Sequence, residues 1–129
     1  MTPELMALTL AALLQVLQFC AYSVTSIQQV GLYKAAGPRD KHIELTGIAG
    51  RLQRAMNNHF EGLILFSIAV MVITYTDQSD SRTMLAAFVY LGARILYVPA
   101  YVLGLAPWRS LIWFAGLAAT VYILLAALF

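Results

Sequence analysis

Long apolar stretches alternate with short polar connections along the chain. The apolar stretches run from about Leu5 to Ile27, Gly47 to Thr76, Thr83 to Leu105 and Arg109 to Phe129. Each is at least as long as the roughly 20 residues that a helix needs to cross the hydrocarbon core of a bilayer. The pattern therefore predicts an all-α integral membrane protein, a four-helix transmembrane bundle in which residues 1–129 form one domain.

Composition and charge agree with this prediction. Of the 129 residues, 61% are hydrophobic and 11% are charged, whereas a soluble domain carries roughly 25% charged residues. The formal net charge is only +2, and no Lys/Arg-rich run with interleaved aromatic residues indicates a nucleic-acid partner. Cys20 is the single cysteine, so no internal disulfide is expected. His42 and His59 are far apart and lack the ligand spacing of a metal site.

The first apolar stretch is predicted to be a permanent helix. A signal peptide would begin with basic residues, but Glu4 precedes this stretch and neither Lys nor Arg does. Its polar side chains recur every three or four positions, at Gln15, Gln18, Tyr22, Ser26 and Gln29. In lipid, such a seam is expected to face other helices, where its amides find hydrogen-bond partners. Contact with a ligand is an alternative near Ser26 and Gln29.

A stripe of polar residues marks the first half of the second helix. Its members are Arg51, Arg54, Asn58 and Glu61, which fall within an arc of roughly 80° at about 100° per residue. Counting about 20 residues back from Thr76 places Asn58 and Glu61 inside the hydrocarbon layer. A carboxylate there is costly unless it is paired, and it indicates a functional site. An internal salt bridge between helices is the alternative for one charge, but four polar groups on one stripe favour a ligand site.

The third helix carries Arg94 near its middle, with Tyr97 and Tyr101 on the same face. Glu61 is the only acidic residue away from the ends of the predicted spans, so we predict that Arg94 and Glu61 form an ion pair, within a subunit or across an interface. Anchoring at the membrane interface is the alternative role for the tyrosines, and it suits Tyr101 better than Tyr97. Arg109 begins the fourth helix, where snorkelling is the alternative role for an arginine.

The distribution of basic residues predicts the orientation. One side of the membrane receives Lys34, Arg39, Lys41, Arg51 and Arg54, and the other receives only Arg82. The positive-inside rule then places the first and third connections in the cytoplasm and both termini outside. The candidate site residues lie toward the cytoplasmic side.

Three motifs in this order resemble those of the MAPEG superfamily, the membrane-associated proteins in eicosanoid and glutathione metabolism. They are Arg51-x-x-Arg54-Ala55-x-x-Asn58-x-x-Glu61, Arg94-x-x-Tyr97-x-x-x-Tyr101 and Ala106-Pro107-Trp108-Arg109-Ser110. The resemblance covers essentially the whole chain and is greatest to short bacterial members. It implies a homotrimer in the bacterial inner membrane, with glutathione bound between neighbouring subunits in a cleft open to the cytoplasm and to the lipid.

The resemblance also implies roles for individual residues. Its glutathione-binding set is Arg51, Arg54, Asn58, Glu61, Arg94, Tyr97 and Tyr101. Arg109 matches the arginine that stabilises the glutathione thiolate, and we expect Tyr97 or Ser26 to assist it by hydrogen bonding. The residue types suit these roles. Arginines pair with the carboxylates of glutathione in bidentate geometry, and a nearby arginine favours a thiolate.

Two hypotheses about function follow. The first is a glutathione-dependent transferase that joins the thiolate to hydrophobic electrophiles arriving from the membrane lipid, with reduction of lipid hydroperoxides as a further activity. The alternative is a non-catalytic trimeric membrane protein that binds a lipid or an anionic metabolite in the same pocket. Gly62 follows the motif glutamate where some relatives carry an aromatic residue, and this departure argues against a specialised eicosanoid synthase.

Overall fold

Four long helices make up the computed structural model, which describes residues 1–32, 35, 37 and 45–129. They are α1 (Pro3–Val30), α2 (Gly47–Tyr75), α3 (Ser81–Val102) and α4 (Ala106–Leu128). All four are long and apolar enough to cross a membrane. The predicted all-α, four-helix transmembrane architecture is therefore confirmed. Most of the predicted first connection, with Lys34, Arg39 and Lys41, lies outside the described residues.

The helix ends follow local chemistry. The Asp80 side chain accepts hydrogen bonds from the backbone N–H groups of Arg82 and Thr83, both at 2.9 Å, and the Thr83 hydroxyl accepts from the Asp80 N–H at 2.9 Å. This reciprocal capping box starts α3. At its other end, Gly104 adopts a positive φ of 72°, which L residues with a side chain avoid. This turn ends α3 at Val102, earlier than the sequence predicts, and α4 begins at Ala106 rather than Arg109.

The helices run up and down, with α2 and α3 between the other two. Both α1 and α4 pack against α2 and α3, and within the described residues α1 and α4 do not contact each other. At one end of the bundle, the Gln29 amide donates to the Thr46 carbonyl at 2.8 Å and accepts from the Thr46 N–H at 2.9 Å. Because the helices run up and down, this end of the bundle contains the end of α1, the start of α2, the end of α3 and the start of α4.

Small residues fill the interior, and large apolar residues cover the outside. Ala7, Ala11 and Ala69 are completely buried. Such small side chains let the helix backbones approach closely, and this close packing holds helices together in lipid, where the hydrophobic effect does not. The outward-facing Leu17 and Leu85 each expose 66% of their surface. This distribution is the one that a lipid environment favours, because lipid solvates leucine as well as a protein core does.

The polar seam of α1 faces the bundle for part of its length. Gln18 and Ser26 are buried, as the spacing predicts. The Gln18 amide, the Gln15 carbonyl oxygen and the Ser26 hydroxyl nevertheless have no hydrogen-bond partner in the part of the chain that the structure describes. Among the seam residues and within the described part of the chain, the amide of Gln29 makes the expected kind of contact, with the backbone of Thr46 just before α2.

Candidate functional site

Arg94 lies inside the bundle between α2 and α3. Its side chain is buried, its Nε donates to His59 Nδ1 at 3.1 Å, and its Nη1 donates to Asn58 Oδ1 at 3.0 Å. A guanidinium at this depth needs such acceptors, because lipid offers none. Two of its nitrogens are thus satisfied by neutral groups that are neighbours in the sequence of α2.

His59 connects Arg94 to the first helix. Its Nε2 lies 2.9 Å from the carbonyl oxygen of Ala11. Because Nδ1 accepts from Arg94, Nε2 carries the proton and donates to Ala11, and the imidazole is neutral. The chain Arg94–His59–Ala11 therefore ties α3, α2 and α1 together at one level. Sequence reasoning considered this histidine only as a metal ligand and missed its role in orienting Arg94.

Glu61 does not form the predicted ion pair with Arg94 inside the subunit. Glu61 is exposed, and it is the central residue of the 29-residue helix α2. The prediction was wrong within the subunit because Asn58 and His59 supply the acceptors that Arg94 was expected to find in the carboxylate. A pair across a subunit interface stays a prediction.

A cluster of arginines and tyrosines occupies the end of the bundle where α4 begins. Arg54 Nε donates to the Tyr101 hydroxyl at 3.1 Å, and Arg109 Cζ lies 4.8 Å from the centroid of the Tyr101 ring. One turn further in, Arg94 Cζ lies 4.5 Å from the centroid of the Tyr97 ring. These cation–π contacts hold the guanidinium groups in place without neutralising their charge. Both predicted tyrosines therefore contact arginines of the predicted site.

Arg51 makes a different kind of contact. Its Nη1 donates to the carbonyl oxygen of Val102 at 2.9 Å. The last carbonyls of a helix lack partners within the helix and attract positive charge, so Arg51 caps the end of α3 and fixes it to α2.

Two cavities adjoin these residues. The first, which we call the entrance cavity, has a volume of about 380 Å³ and is lined by Asn58, Tyr97, Tyr101, Arg109, Ser110, Trp113 and Phe114. The second, which we call the inner cavity, has a volume of about 170 Å³ and is lined by Asn58, Glu61, Gly62, Leu65, Tyr90, Arg94, Trp113, Gly116, Leu117 and Thr120. Asn58 and Trp113 line both, so the two cavities are neighbours.

These positions sort the predicted site residues. Asn58, Glu61, Arg94, Tyr97, Tyr101 and Arg109 line one or both cavities, whereas Arg51 and Arg54 line neither. Ser26, expected to assist Arg109, also lines neither cavity. It lies on α1, which does not contact α4 within the described subunit.

The arrangement of motifs along this bundle agrees with a comparison against known protein families. A model of the MAPEG family matches residues 4–129, nearly the whole chain. The chain belongs to the MAPEG family. Comparison with curated proteins gave no match, and neither did comparison with solved structures. Membership and the four candidate spans together identify an integral, multi-pass membrane protein. They associate it in general with glutathione- or eicosanoid-related functions of membranes.

Two further residues of this MAPEG chain belong to the site although the sequence analysis did not select them. Trp113 lines both cavities, and Tyr90 lines the inner one. Tyr90 precedes Arg94 by one helical turn, so the face that carries Arg94, Tyr97 and Tyr101 extends one turn further than we predicted. That spacing was a usable signal. Trp113 had no such signal, because an aromatic residue in an apolar helix is ordinary.

Proposed function

We propose that this MAPEG chain is a glutathione transferase embedded in the membrane, which joins the glutathione thiolate to hydrophobic electrophiles. One observation carries the proposal: the entrance cavity is lined by Arg109, Tyr97 and Tyr101, within helices that can cross a membrane. A cationic, partly aromatic cavity is unusual for a lipid-embedded bundle, because charge in this environment is retained only where it serves a purpose.

The charges around this cavity fit glutathione, which carries two carboxylates, one ammonium group and a thiol. Arg54 and Arg109 both contact Tyr101, so two guanidinium groups lie at the same end of the bundle. Guanidinium groups bind carboxylates in bidentate geometry. In this proposal Arg51, Arg54 and Asn58 hold the carboxylate and amide groups of glutathione, and Glu61 receives its ammonium.

Arg109 is the proposed catalytic residue. A free thiol has a pKa near 8.5, and a neighbouring cation favours the thiolate, which is the nucleophile. Within an apolar bundle of low dielectric constant this electrostatic effect is stronger than in bulk water. The thiolate sulfur forms a bond to the electrophilic carbon as the leaving group departs with its electron pair. We assign hydrogen-bond support of the sulfur to Tyr97.

A neighbouring copy completes the proposed site. Glu61 is exposed at the centre of α2, and a carboxylate that faces lipid at this depth is costly. A homotrimer in which residues 1–129 form one domain per subunit would cover Glu61 and place glutathione between subunits. The excess of Lys and Arg on one side supports both termini outside and the site open to the cytoplasm, in a bacterial inner membrane.

The first test measures binding and turnover separately. A ligand that binds only the native state raises its stability by mass action, so millimolar glutathione should raise the melting temperature of the protein in detergent. Arg54→Ala should weaken that shift, whereas Arg82→Ala, at the opposite end of α3, should retain it. The same preparation should conjugate glutathione to benzyl chloride. The proposal fails if glutathione produces no shift and no conjugate forms.

A non-catalytic membrane protein of the same architecture is the second candidate. Its support is the internal network around Arg94, in which Asn58 and His59 act as acceptors and stabilise the bundle without any reaction. Thermal stabilisation by an anionic lipid or metabolite, without stabilisation by glutathione, would favour this candidate.

A further inference from the structure

A groove runs between α3 and α4 on the outer surface of the bundle. It has a volume of about 460 Å³, and its walls include Arg82, Leu85 and Val89 of α3 and Ala115, Ala118 and Tyr122 of α4. At about 100° per residue, these α4 residues fall on the face opposite to the one that carries Gly116, Leu117 and Thr120. Those three residues line the inner cavity, so the groove is separate from the proposed glutathione site.

The floor and the walls of this groove are apolar. Ala86 and Ala119 belong to it and are buried, whereas Leu85 exposes 66% of its surface and Val89 exposes 44%. Short side chains along the floor and longer ones at the sides leave a channel that is open to the surroundings of the bundle. In a membrane those surroundings are hydrocarbon, so the channel suits an acyl chain.

One end of the groove is polar. Because α3 and α4 run in opposite directions, Arg82 and Tyr122 lie at the same end of the groove, and Val89 and Ala115 lie at the other. Neither the Arg82 guanidinium nor the Tyr122 hydroxyl has a hydrogen bond or an ion pair among the described residues. A cation and a hydroxyl are therefore both available to a ligand at the membrane edge of an apolar channel.

The length of the groove indicates which kind of partner it fits. Residues 82–89 extend about 10 Å along their helix, which is less than half of the hydrocarbon core of about 30 Å. A helix from a second copy of the chain would cross the whole core and would bring no anion to Arg82. A phospholipid has the matching shape, because its acyl chain stays within one leaflet and its phosphate lies at the membrane edge.

The charges beside Arg82 select among phospholipids. Arg82 is the only Lys or Arg on its side of the predicted topology, and the exposed Asp77 and Asp80 precede it in the same turn. Asp80 also caps α3, but it keeps its negative charge. A purely anionic headgroup would be repelled by both carboxylates. An ethanolamine headgroup offers a phosphate to Arg82 and an ammonium group to the aspartates.

We propose that this groove is a binding site for an ethanolamine phospholipid. One acyl chain lies between α3 and α4, Arg82 binds the phosphate, and the Tyr122 hydroxyl donates to a phosphate or ester oxygen. The lipid contacts both helices at once, so it stabilises the native bundle by mass action. This site does not depend on the proposed transferase function, because it shares no residue with the two cavities.

Arg82→Gln tests the contact with the phosphate. The substitution keeps the backbone N–H that donates to Asp80, so the start of α3 is preserved. The measurement is the Kd of palmitoyl-oleoyl phosphatidylethanolamine, obtained by native mass spectrometry of the detergent-solubilised protein. A basic side chain near a lipid headgroup contributes enough that we expect its loss to weaken binding at least about fivefold. The wild type should bind phosphatidylglycerol with the same chains more weakly than phosphatidylethanolamine.

Ala118→Leu tests the channel itself. Leucine at this position fills space that the acyl chain would occupy, so the affinity for phosphatidylethanolamine should fall. Ala12→Leu is the matched control, because Ala12 is an exposed alanine of α1 outside the groove. This control should bind the lipid as the wild type does. The melting temperature without added lipid checks that each variant is folded.

The outcomes separate this inference from its alternatives. Unchanged affinity in Arg82→Gln overturns it, and so does a wild type that binds phosphatidylglycerol at least as tightly as phosphatidylethanolamine. An altered number of subunits in Ala118→Leu, with unchanged lipid affinity, would overturn it in favour of a second copy of the chain in the groove. The comparison of the two lipids needs only the wild type, so it decides even where a variant fails to fold.

Discussion

The two ends of the bundle treat their polar side chains differently. At the end where α1 begins, Glu4 is completely buried and its Oε1 accepts from the hydroxyls of Ser79 at 2.7 Å and Thr83 at 3.1 Å. At the opposite end, Arg54 and Arg109 surround Tyr101 next to a cavity of about 380 Å³. At the first end Glu4 directs its charge inward to Ser79 and Thr83, whereas at the second end Arg109 lies beside open space.

This difference separates polar groups that hold the bundle together from those available to a ligand. Glu4 joins α1 to the start of α3, so its hydrogen bonds are made by the fold itself. Arg109 contacts the face of an aromatic ring, and such a contact leaves the N–H groups at the edge of the guanidinium free to bind an anion. Arg94 and Glu4 are both used only in part by the fold: two nitrogens of Arg94 donate to Asn58 and His59, whereas Arg94 Nη2 and Glu4 Oε2 have no partner among the described residues.

Replacement of Arg109 should have the largest effect. Arg109→Ala removes the cation next to the proposed thiolate, so we expect kcat for benzyl chloride to fall about 10²- to 10³-fold, as for loss of a preorganised electrostatic group. Stabilisation by glutathione should remain mostly intact, because other residues hold its carboxylates in the proposal. Steady-state kinetics and thermal unfolding of the same preparation measure both quantities. Equal loss of conjugation and of binding would contradict the assigned role.

His59 should matter next, through stability rather than catalysis. His59→Phe removes the acceptor of Arg94 Nε and the donor to the Ala11 carbonyl. Leaving buried partners unsatisfied costs about 1–3 kcal/mol, so the free energy of unfolding in detergent should fall by about that amount. His59→Gln is the matched control, since its amide both donates and accepts. If phenylalanine and glutamine destabilise the protein equally, the hydrogen-bond chain through residue 59 does not contribute to stability.

The helices and the polar stripe were predictable from the sequence for a physical reason. A bilayer imposes a minimum length on each span, so the four helices follow from apolar runs without knowledge of packing. The spacing of Asn58, Arg94 and Tyr97 likewise placed each of them on a helix face that lines one of the two cavities. These features depend on one helix at a time, and helical periodicity is enough to derive them.

The hydrogen-bond partners of Arg94 depend on how α2 packs against α3, and the periodicity of a single helix does not predict that packing. Charge complementarity selected Glu61, but neutral acceptors on the adjacent residues of α2 were closer. His59 occupies the buried stripe of α2, in phase with Leu52, Ala55, Phe66, Val70 and Ile73. A single polar residue in such a stripe indicates a buried hydrogen-bond network. The cavities could not be predicted, because their walls come from three helices and their space depends on glycines such as Gly62.

Glu4 should give the smallest effect and the clearest contrast between the two ends. In Glu4→Gln the amide oxygen still accepts from Ser79 and Thr83, so the free energy of unfolding should fall by at most about 1 kcal/mol. The melting-temperature shift caused by glutathione should equal that of the wild type, because the proposed ligand binds at the opposite end. Thermal unfolding with and without glutathione measures both quantities. A changed glutathione shift would mean that the two ends are coupled through α1, for which the chain of hydrogen bonds from Ala11 to Arg94 offers a direct physical route.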